Sequence, residues 1–309
     1  FRQAMTDIFH GWPTREPSGR IAYVNGRYVP HAHAVVHIED RGLQFADAIY
    51  EVFGVIGGLV RDEEEHLDRL ERSVSEIGMA MPMRRGPMKL VMRELVRQNK
   101  ISNGLIYMQV TRGTARRDHP VPNAPPRPTL IFTARPIAPG ANEKLRAKGI
   151  RVVTKPDERW ARRDIKSTAL LPNILAKTAA RREGAYEAWL IDRDGFVTEG
   201  SSTSAWIVDK DGRIITRNLS NDILPGVTRR IMLEAAASAQ IPVIERAFTA
   251  DEAKAAAEAF ISAATIGAVP VLEIDGQKIG EGVPGPVTRR IQELYQTLSE
   301  SRAGTVKSA

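Results

Sequence analysis

The chain has 309 residues, 42% of them hydrophobic and 26% charged, with a formal net charge of +7 and no cysteine. That length suits one large or two medium domains, each able to bury a core, and the composition is that of a soluble globular protein. Without cysteine there is no disulfide framework, no thiolate nucleophile and no Cys-based zinc site; no run nears the roughly 20 apolar residues of a membrane span and no export signal opens the chain, so a cytoplasmic protein is expected.

Residues Phe1 to Ala4, ahead of Met5, read as a cloning remnant, and 1–20 as an N-terminal extension. Residues 21–30 alternate in polarity around Asn25-Gly26, which predicts a hairpin, and a second hairpin follows at 49–60 with its turn at Gly57-Gly58. Leu67, Leu70, Val74 and Ile77 have the three-and-four spacing of an amphipathic helix over 64–79, close to Gly78. A helix over 88–99 leads to a strand at 105–111. The prolines between Arg116 and Pro128 make that stretch a loop, and a short strand follows at 130–134.

Pro136-Ile137-Ala138-Pro139-Gly140 reads as a linker, which divides the chain into a smaller N-terminal α/β domain (21–135), a connection (136–142) and a larger C-terminal domain (143–309). The second part predicts strands at 150–154, 186–191 and 204–208, and helices at 169–182, 228–239, 249–257 and 286–298. Strands and helices mix without strict alternation, so the expected class is α+β with largely antiparallel sheets.

The positive charge raises nucleic-acid binding as a reading. The arginines, however, recur as pairs (Arg84-Arg85, Arg116-Arg117, Arg162-Arg163, Arg181-Arg182, Arg229-Arg230, Arg289-Arg290) spread along the chain. They form no arm and no aromatic-interleaved patch, and read as solvated helix faces.

Three local patterns point to chemistry. Asp164-Ile165-Lys166-Ser167 precedes an expected amphipathic helix with Leu171, Ile174, Leu175 and Thr178 on one face. A lysine at the positive end of a helix is electrostatically misplaced, and such placement depresses its pKa, as a Schiff-base lysine requires; taken alone, it would be a surface lysine. Glu199, in Val197-Thr198-Glu199-Gly200-Ser201-Ser202, is a lone carboxylate between a strand and a small-residue turn, able to keep a pyridine nitrogen protonated. Leu224-Pro225-Gly226-Val227-Thr228 opens a helix whose free N–H groups suit a phosphate.

In this order, these patterns resemble the class IV (fold type IV) aminotransferases, and within them the D-amino-acid transaminase branch. The resemblance runs from Tyr23 to about Tyr295 and includes Glu39-Asp40-Arg41-Gly42, Tyr50-Glu51-Val52, the segments 65–70 and 109–113, and Pro284 to Arg289. It implies two α/β domains, pyridoxal 5'-phosphate as cofactor, and a homodimer with its active site near the interface. Lys166 is then the internal-aldimine lysine and the acid/base between the substrate α-carbon and the cofactor C4′. Glu199 matches the carboxylate on the pyridine nitrogen and Arg69 the guanidinium on the phosphate; without the resemblance, Arg69 would be a helix-surface arginine pairing with Glu65. Val227 and Thr228 match phosphate donors, Leu224 an apolar side chain on the ring, and Arg159 a second arginine near the cofactor.

One departure stands out. Where relatives place hydroxyl residues after a Phe-containing strand, this chain reads Phe260-Ile261-Ser262-Ala263-Ala264-Thr265, so Ala264 and Thr265 are left to offer backbone N–H groups. Arg117-Asp118-His119 resembles the trap for the substrate α-carboxylate, contributed across the dimer interface and acting with Tyr50 of the other subunit; Arg116 is an alternative to Arg117. Without the resemblance this is an exposed loop with incidental charges.

The implied reaction is ping-pong transamination between a D-amino acid, such as D-alanine, and a 2-oxo acid, such as pyruvate or 2-oxoglutarate. An (R)-amine transaminase, a branched-chain L-aminotransferase and an aminodeoxychorismate lyase are alternatives on the same fold. No metal is expected.

Overall fold

A computed structural model describes residues 19–304; the extension expected over 1–20 lies almost wholly outside the described residues. Strands β1 (Ile21–Val24) and β2 (Arg27–Pro30) form the first hairpin. Both turn residues, Asn25 and Gly26, have positive φ, as a two-residue turn of this kind demands. A short helix not anticipated from sequence, α1 (Arg41–Phe45), follows, its N-terminus capped by the Asp40 carboxylate, which accepts the Gly42 N–H.

Then come β3 (Ala48–Ile56), β4 (Leu59–Val60), helices α2 (Glu63–Glu76) and α3 (Arg85–Gln98), and strands β5 (Gly104–Thr111) and β6 (Thr129–Pro136). The strands make a six-stranded antiparallel sheet in the order β2-β1-β6-β5-β3-β4. One face buries Phe53, Ile106 and Phe132 against Leu67, Leu70, Met88 and Met92 of the two helices.

Beyond the first sheet, helix α4 (Ala141–Lys148) occupies part of the expected linker, so the irregular connection is only 137–140. Strand β7 (Ile150–Pro156), helix α5 (Leu171–Arg182), strands β8 (Glu187–Ile191), β9 (Val197–Gly200), β10 (Ser204–Val208) and β11 (Ile214–Thr216), helix α6 (Val227–Ser238), strand β12 (Val243–Glu245), helix α7 (Ala250–Lys254), strands β13 (Glu258–Ala263), β14 (Gly267–Ile274) and β15 (Gln277–Lys278), and helix α8 (Pro286–Gly304) complete the chain. The strands form a nine-stranded sheet in the order β12-β11-β10-β13-β14-β7-β8-β9, with β15 on β14.

This sheet is mixed: β14–β7, β7–β8 and β11–β12 pair in parallel, the rest antiparallel. It is buried on both faces, Ile207 and Ile261 toward one core, Trp206 and Phe260 toward another shared with α6 and α8. The whole is an α+β fold of two sheet-based domains.

Two expectations need correction. Helix α5 begins at Leu171, five positions beyond Lys166, and packs through Ala176 and Ala180 against Val153, Ala188 and Leu190. The larger apolar side chains Leu171, Ile174 and Leu175 point outward instead, because only small residues let the helix approach the sheet so closely. The arginine pairs are also not uniformly solvated: Arg229 is buried on Glu245 and the Arg217 carbonyl, and Arg163 lies between Asp157 and Asp222.

Candidate active site

Where the two sheets meet, a cavity of 310 Å³ is lined by residues of both. Lys166 reaches it from an extended segment, not from a helix end. The Tyr50 N–H donates to the Lys166 carbonyl and the Thr168 N–H to the Ala48 carbonyl, each at 3.0 Å, so residues 166–168 run beside β3 like a short extra strand. The Lys166 amide lies 3.3 Å from Ser73 Oγ of α2, and Ile165 is buried in the first core. The helix-dipole argument for this lysine therefore fails on position. Its Nζ instead sits 4.3 Å from the centre of the Tyr50 ring and pairs with no carboxylate among the described residues, which leaves the amine facing the cavity.

Glu199 is the inward carboxylate of β9. Its Oε1 accepts from Arg159 Nη1 in a short contact and from the Leu224 N–H at 3.2 Å. Oε2 makes no hydrogen bond among the described residues. Arg159 is itself fixed by both oxygens of Asp157, at 2.9 and 2.7 Å, and Asp157 is tied to Thr198 at 2.7 Å. Burial pushes the Glu199 carboxyl above its usual value, while the Arg159 charge and the Leu224 N–H pull the other way and only partly offset it.

Arg69 enters from α2. It is buried and does not pair with Glu65; its Nε and Nη2 bind the two oxygens of Glu51, each at 2.8 Å, and Nη1 points to the Pro225 carbonyl at 3.3 Å. His66 Nδ1 adds a third contact to Glu51 at 2.8 Å. The guanidinium is thus held at the mouth of the 224–228 turn.

That turn leads into α6, whose N-cap is Gly226 and which no side chain caps. The N–H groups of its first turn open on the cavity beside the Thr228 hydroxyl, which is buried and makes no well-formed hydrogen bond. An orphaned donor, an uncapped helix start and a fixed guanidinium suit a phosphate. A carboxylate with a free oxygen and a free amine across the same cavity suit a pyridine ring bearing an aldehyde. The residues present therefore fit a phosphorylated pyridine aldehyde.

The cavity brings together Tyr50, Arg69, Arg159, Lys166, Glu199, Leu224, Val227, Thr228, Ala264 and Thr265. It does not include Arg117 or His119, which lie exposed on the loop between β5 and β6 with Arg117 over, and His119 edge-on to, the Phe45 ring. Sequence reasoning missed the carboxylates behind the site. Glu51 fixes Arg69, and Glu187 of β8 accepts from Ser202 at 2.9 Å and from Ser201, and pairs with Lys177 at 2.9 Å, which pins the turn flanking Glu199. The available signal was an acid inside an apolar strand, Ile49-Tyr50-Glu51-Val52-Phe53 and Glu187-Ala188-Trp189, since such a charge must be paired.

The family model for amino-transferase class IV matches residues 48–274, and the chain belongs to that family. The D-alanine aminotransferase of Bacillus licheniformis is 39% identical over 279 residues, 90% of this chain and 97% of the relative. That of Staphylococcus haemolyticus is 38% identical over 281 residues, 91% and 98% of the respective chains. Among solved structures, a T.th. branched-chain amino acid aminotransferase with pyridoxamine 5'-phosphate superposes with a TM-score of 0.82 at 25% identity, covering 91% of this chain and 94% of that one. The Thermoproteus uzoniensis branched-chain aminotransferase with norvaline gives 0.81 at 26% identity, covering 93% and 96%. The chain is accordingly a pyridoxal 5'-phosphate-dependent aminotransferase, acting between amino acids and 2-oxo acids.

Proposed function

We propose that the enzyme transfers the amino group of a D-amino acid, D-alanine among them, to a 2-oxo acid such as 2-oxoglutarate, in two half-reactions at one site, and that it works as a homodimer. The observation that carries the reading is the cavity itself, with a free lysine amine on one wall and, on the others, a buried carboxylate and a phosphate cradle. The relatives that cover most of the chain at 38–39% identity are D-alanine aminotransferases, which favours D-configured donors.

When bound, the cofactor supplies an electron sink for the substrate α-carbon. Lys166 Nζ, which faces the cavity and pairs with no carboxylate among the described residues, would be the acid/base that moves the proton of that carbon. Glu199, whose Oε2 has no partner among the described residues, would hold the cofactor's pyridine nitrogen and keep it protonated, while Arg159 aims the carboxylate and offsets part of the burial that opposes its charge. Arg69, the Val227 and Thr228 N–H groups and the Thr228 hydroxyl would hold the phosphate. The N–H groups of Ala264 and Thr265 would add backbone donors, and Leu224 would pack on the ring. Tyr50, beside Lys166, faces the substrate.

Arg117 and His119 bind the substrate α-carboxylate in the cavity of a second subunit, since neither lines the cavity of its own chain. The outward Leu171, Ile174 and Leu175 give an apolar face for such an assembly. The test is a donor panel with 2-oxoglutarate: D-alanine should yield pyruvate and D-glutamate. Turnover confined to L-leucine or to (R)-1-phenylethylamine would replace this reading with a branched-chain or an (R)-amine transaminase, and pyruvate release from aminodeoxychorismate without an acceptor would replace it with a lyase.

A further inference from the structure

We propose that Arg41, which lies outside the cavity, is the positioning residue that fixes the shape of the loop bearing Arg117 and His119, and through it the enzyme's affinity for carboxylate-bearing substrates. This rests on the reading that the loop binds the substrate carboxylate.

The guanidinium of Arg41, at 5% side-chain exposure, sits under the loop. Its Nη1 donates to the Asp118 carbonyl at 2.7 Å and, more weakly, to the Pro120 carbonyl at 3.4 Å; Nη2 donates to the His119 carbonyl at 3.0 Å. Three consecutive main-chain carbonyls are thereby turned toward one cation. The remaining donor, Nε, goes to Asp47 Oδ2 at 2.8 Å, and the same oxygen accepts from Arg112 Nε at 2.7 Å. Arg112 is anchored in turn on the Ile77 carbonyl at 2.7 Å. The grip on the loop is therefore backed by a chain of fixed groups in which both arginines are buried and Asp47 is partly so.

The loop has little else to define it. Its sequence from Pro120 to Pro128 supplies five prolines and hence few N–H groups, and residues 116–120 are exposed. At its base, Ala115 N–H meets the Glu39 carbonyl at 3.3 Å and Arg41 N–H the Gly113 carbonyl at 2.9 Å, so the segment 39–41 supports it from both ends of the turn. Phe45, one turn along α1, lies 4.8 Å from Arg41 Cζ and 5.1 Å from Arg117 Cζ, and its ring centre is 5.7 Å from that of His119. The residue that holds the loop's backbone also lies against the platform on which the two substrate-binding side chains rest.

A lysine at position 41 keeps the charge and can pair with Asp47, but it has no planar fork to hold adjacent carbonyls. Arg41→Lys is expected to raise KM for D-alanine and for 2-oxoglutarate about tenfold, the scale of one lost charge-assisted hydrogen bond, with kcat within about threefold of the parent. The Kd for pyridoxal phosphate, read from its visible absorbance, should stay unchanged, because Arg41 touches no cavity residue; general structural damage would weaken it. In an Arg117→Ala background the KM effect of Arg41→Lys should shrink, and amide exchange over 115–120 should accelerate. A wild-type KM in Arg41→Lys, a parallel loss of cofactor affinity, or an undiminished effect in the Arg117→Ala background would overturn the proposal. Asp47→Asn, which removes the anchor of the same guanidinium, should give the same signature should Arg41→Lys not fold. The exchange measurement needs no turnover: protein inert toward every donor would sink the proposed function, while faster exchange in the variant still supports the Arg41 grip and unchanged exchange removes it.

Discussion

Arg69 and Glu51 form a two-pronged ion pair in the interior, with Nε and Nη2 of the guanidinium each 2.8 Å from a different oxygen of the carboxylate. Both belong to the six-stranded domain, yet Nη1 reaches the Pro225 carbonyl of the other. Glu51 thus aims the arginine that the proposed phosphate site draws from the smaller domain.

Removing that carboxylate strands a buried cation, and breaking a buried pair costs about 3–5 kcal/mol. Burial pushes the Glu51 carboxyl up, but the Arg69 charge, its hydrogen bonds and His66 prevail and hold it well below the usual carboxylate range. With its folded pKa depressed, Glu51 contributes stability that is fully present above the unfolded value of about 4.3 and is lost as pH falls below it toward the folded one. Urea unfolding should show Glu51→Gln about 3 kcal/mol weaker at pH 7, with a smaller gap at pH 3. An equal gap at both values would refute the assignment.

Thr228 offers a test of the phosphate cradle that separates binding from folding. Its hydroxyl makes no well-formed bond in the cofactor-free protein, so Thr228→Val should leave the stability of that form unchanged or slightly raised. The same change should weaken pyridoxal phosphate binding about tenfold, the loss of one hydrogen bond to a charged group. Titration of the cofactor-free variant by absorbance gives the answer; unaltered affinity would place the phosphate elsewhere.

Lys166→Ala should abolish the yellow colour that borohydride bleaches in the parent and lower turnover by about 10³-fold or more, the scale of a lost general acid/base. Peptide mass mapping after borohydride should find the reduced adduct on Lys166 in the parent. An adduct on Lys155 or Lys177, neither of which lines the cavity, would move the chemistry out of it.

Glu199 should show the opposite stability sign from Glu51. Burial raises its folded pKa, so its ionisation opposes folding, an effect that grows as pH rises from the unfolded value of about 4.3 and is complete above the folded one. Arg159 keeps both Asp157 oxygens when Glu199 is neutral. Cofactor-free Glu199→Gln should therefore be more stable than the parent at neutral pH, with the difference fading near pH 4, while kcat of the loaded enzyme falls. Thermal melts across that range decide it, and destabilisation at neutral pH would count against the burial argument.

Much of this was legible in the chain. Asn25-Gly26 and Gly57-Gly58 fix their hairpins because few residues accept positive φ, and the leucines of α2 mark its buried face. Strands β11 and β12, three residues each, are too short for any period to register, and Pro270 inside β14 argues against the strand that forms there. For α5 the pattern misled: apolar spacing marks a face that will be covered, but in one chain the covering comes from the alanine side. At the site, the motifs around Lys166, Glu199 and Gly226 could be read, whereas Glu51, Glu187 and Arg41 act through partners 18, 14 and 77 residues away, separations no local pattern encodes.

The strand-like pairing of residues 166–168 with β3 has a further consequence. Lys166 belongs by sequence to the larger domain but is stitched by its main chain to the smaller one, next to Tyr50. A rotation of one domain against the other that kept this pairing would bend the chain at 137–140 and on either side of 166–168; it would carry the lysine and the tyrosine together as one jaw, and open or narrow their distance to Glu199 and Thr228 on the other. A molecule that bridges the jaws, with phosphate on both Arg69 and Thr228, would act as a spacer that sets the working gap, so cofactor loading should also protect the connection from proteolysis.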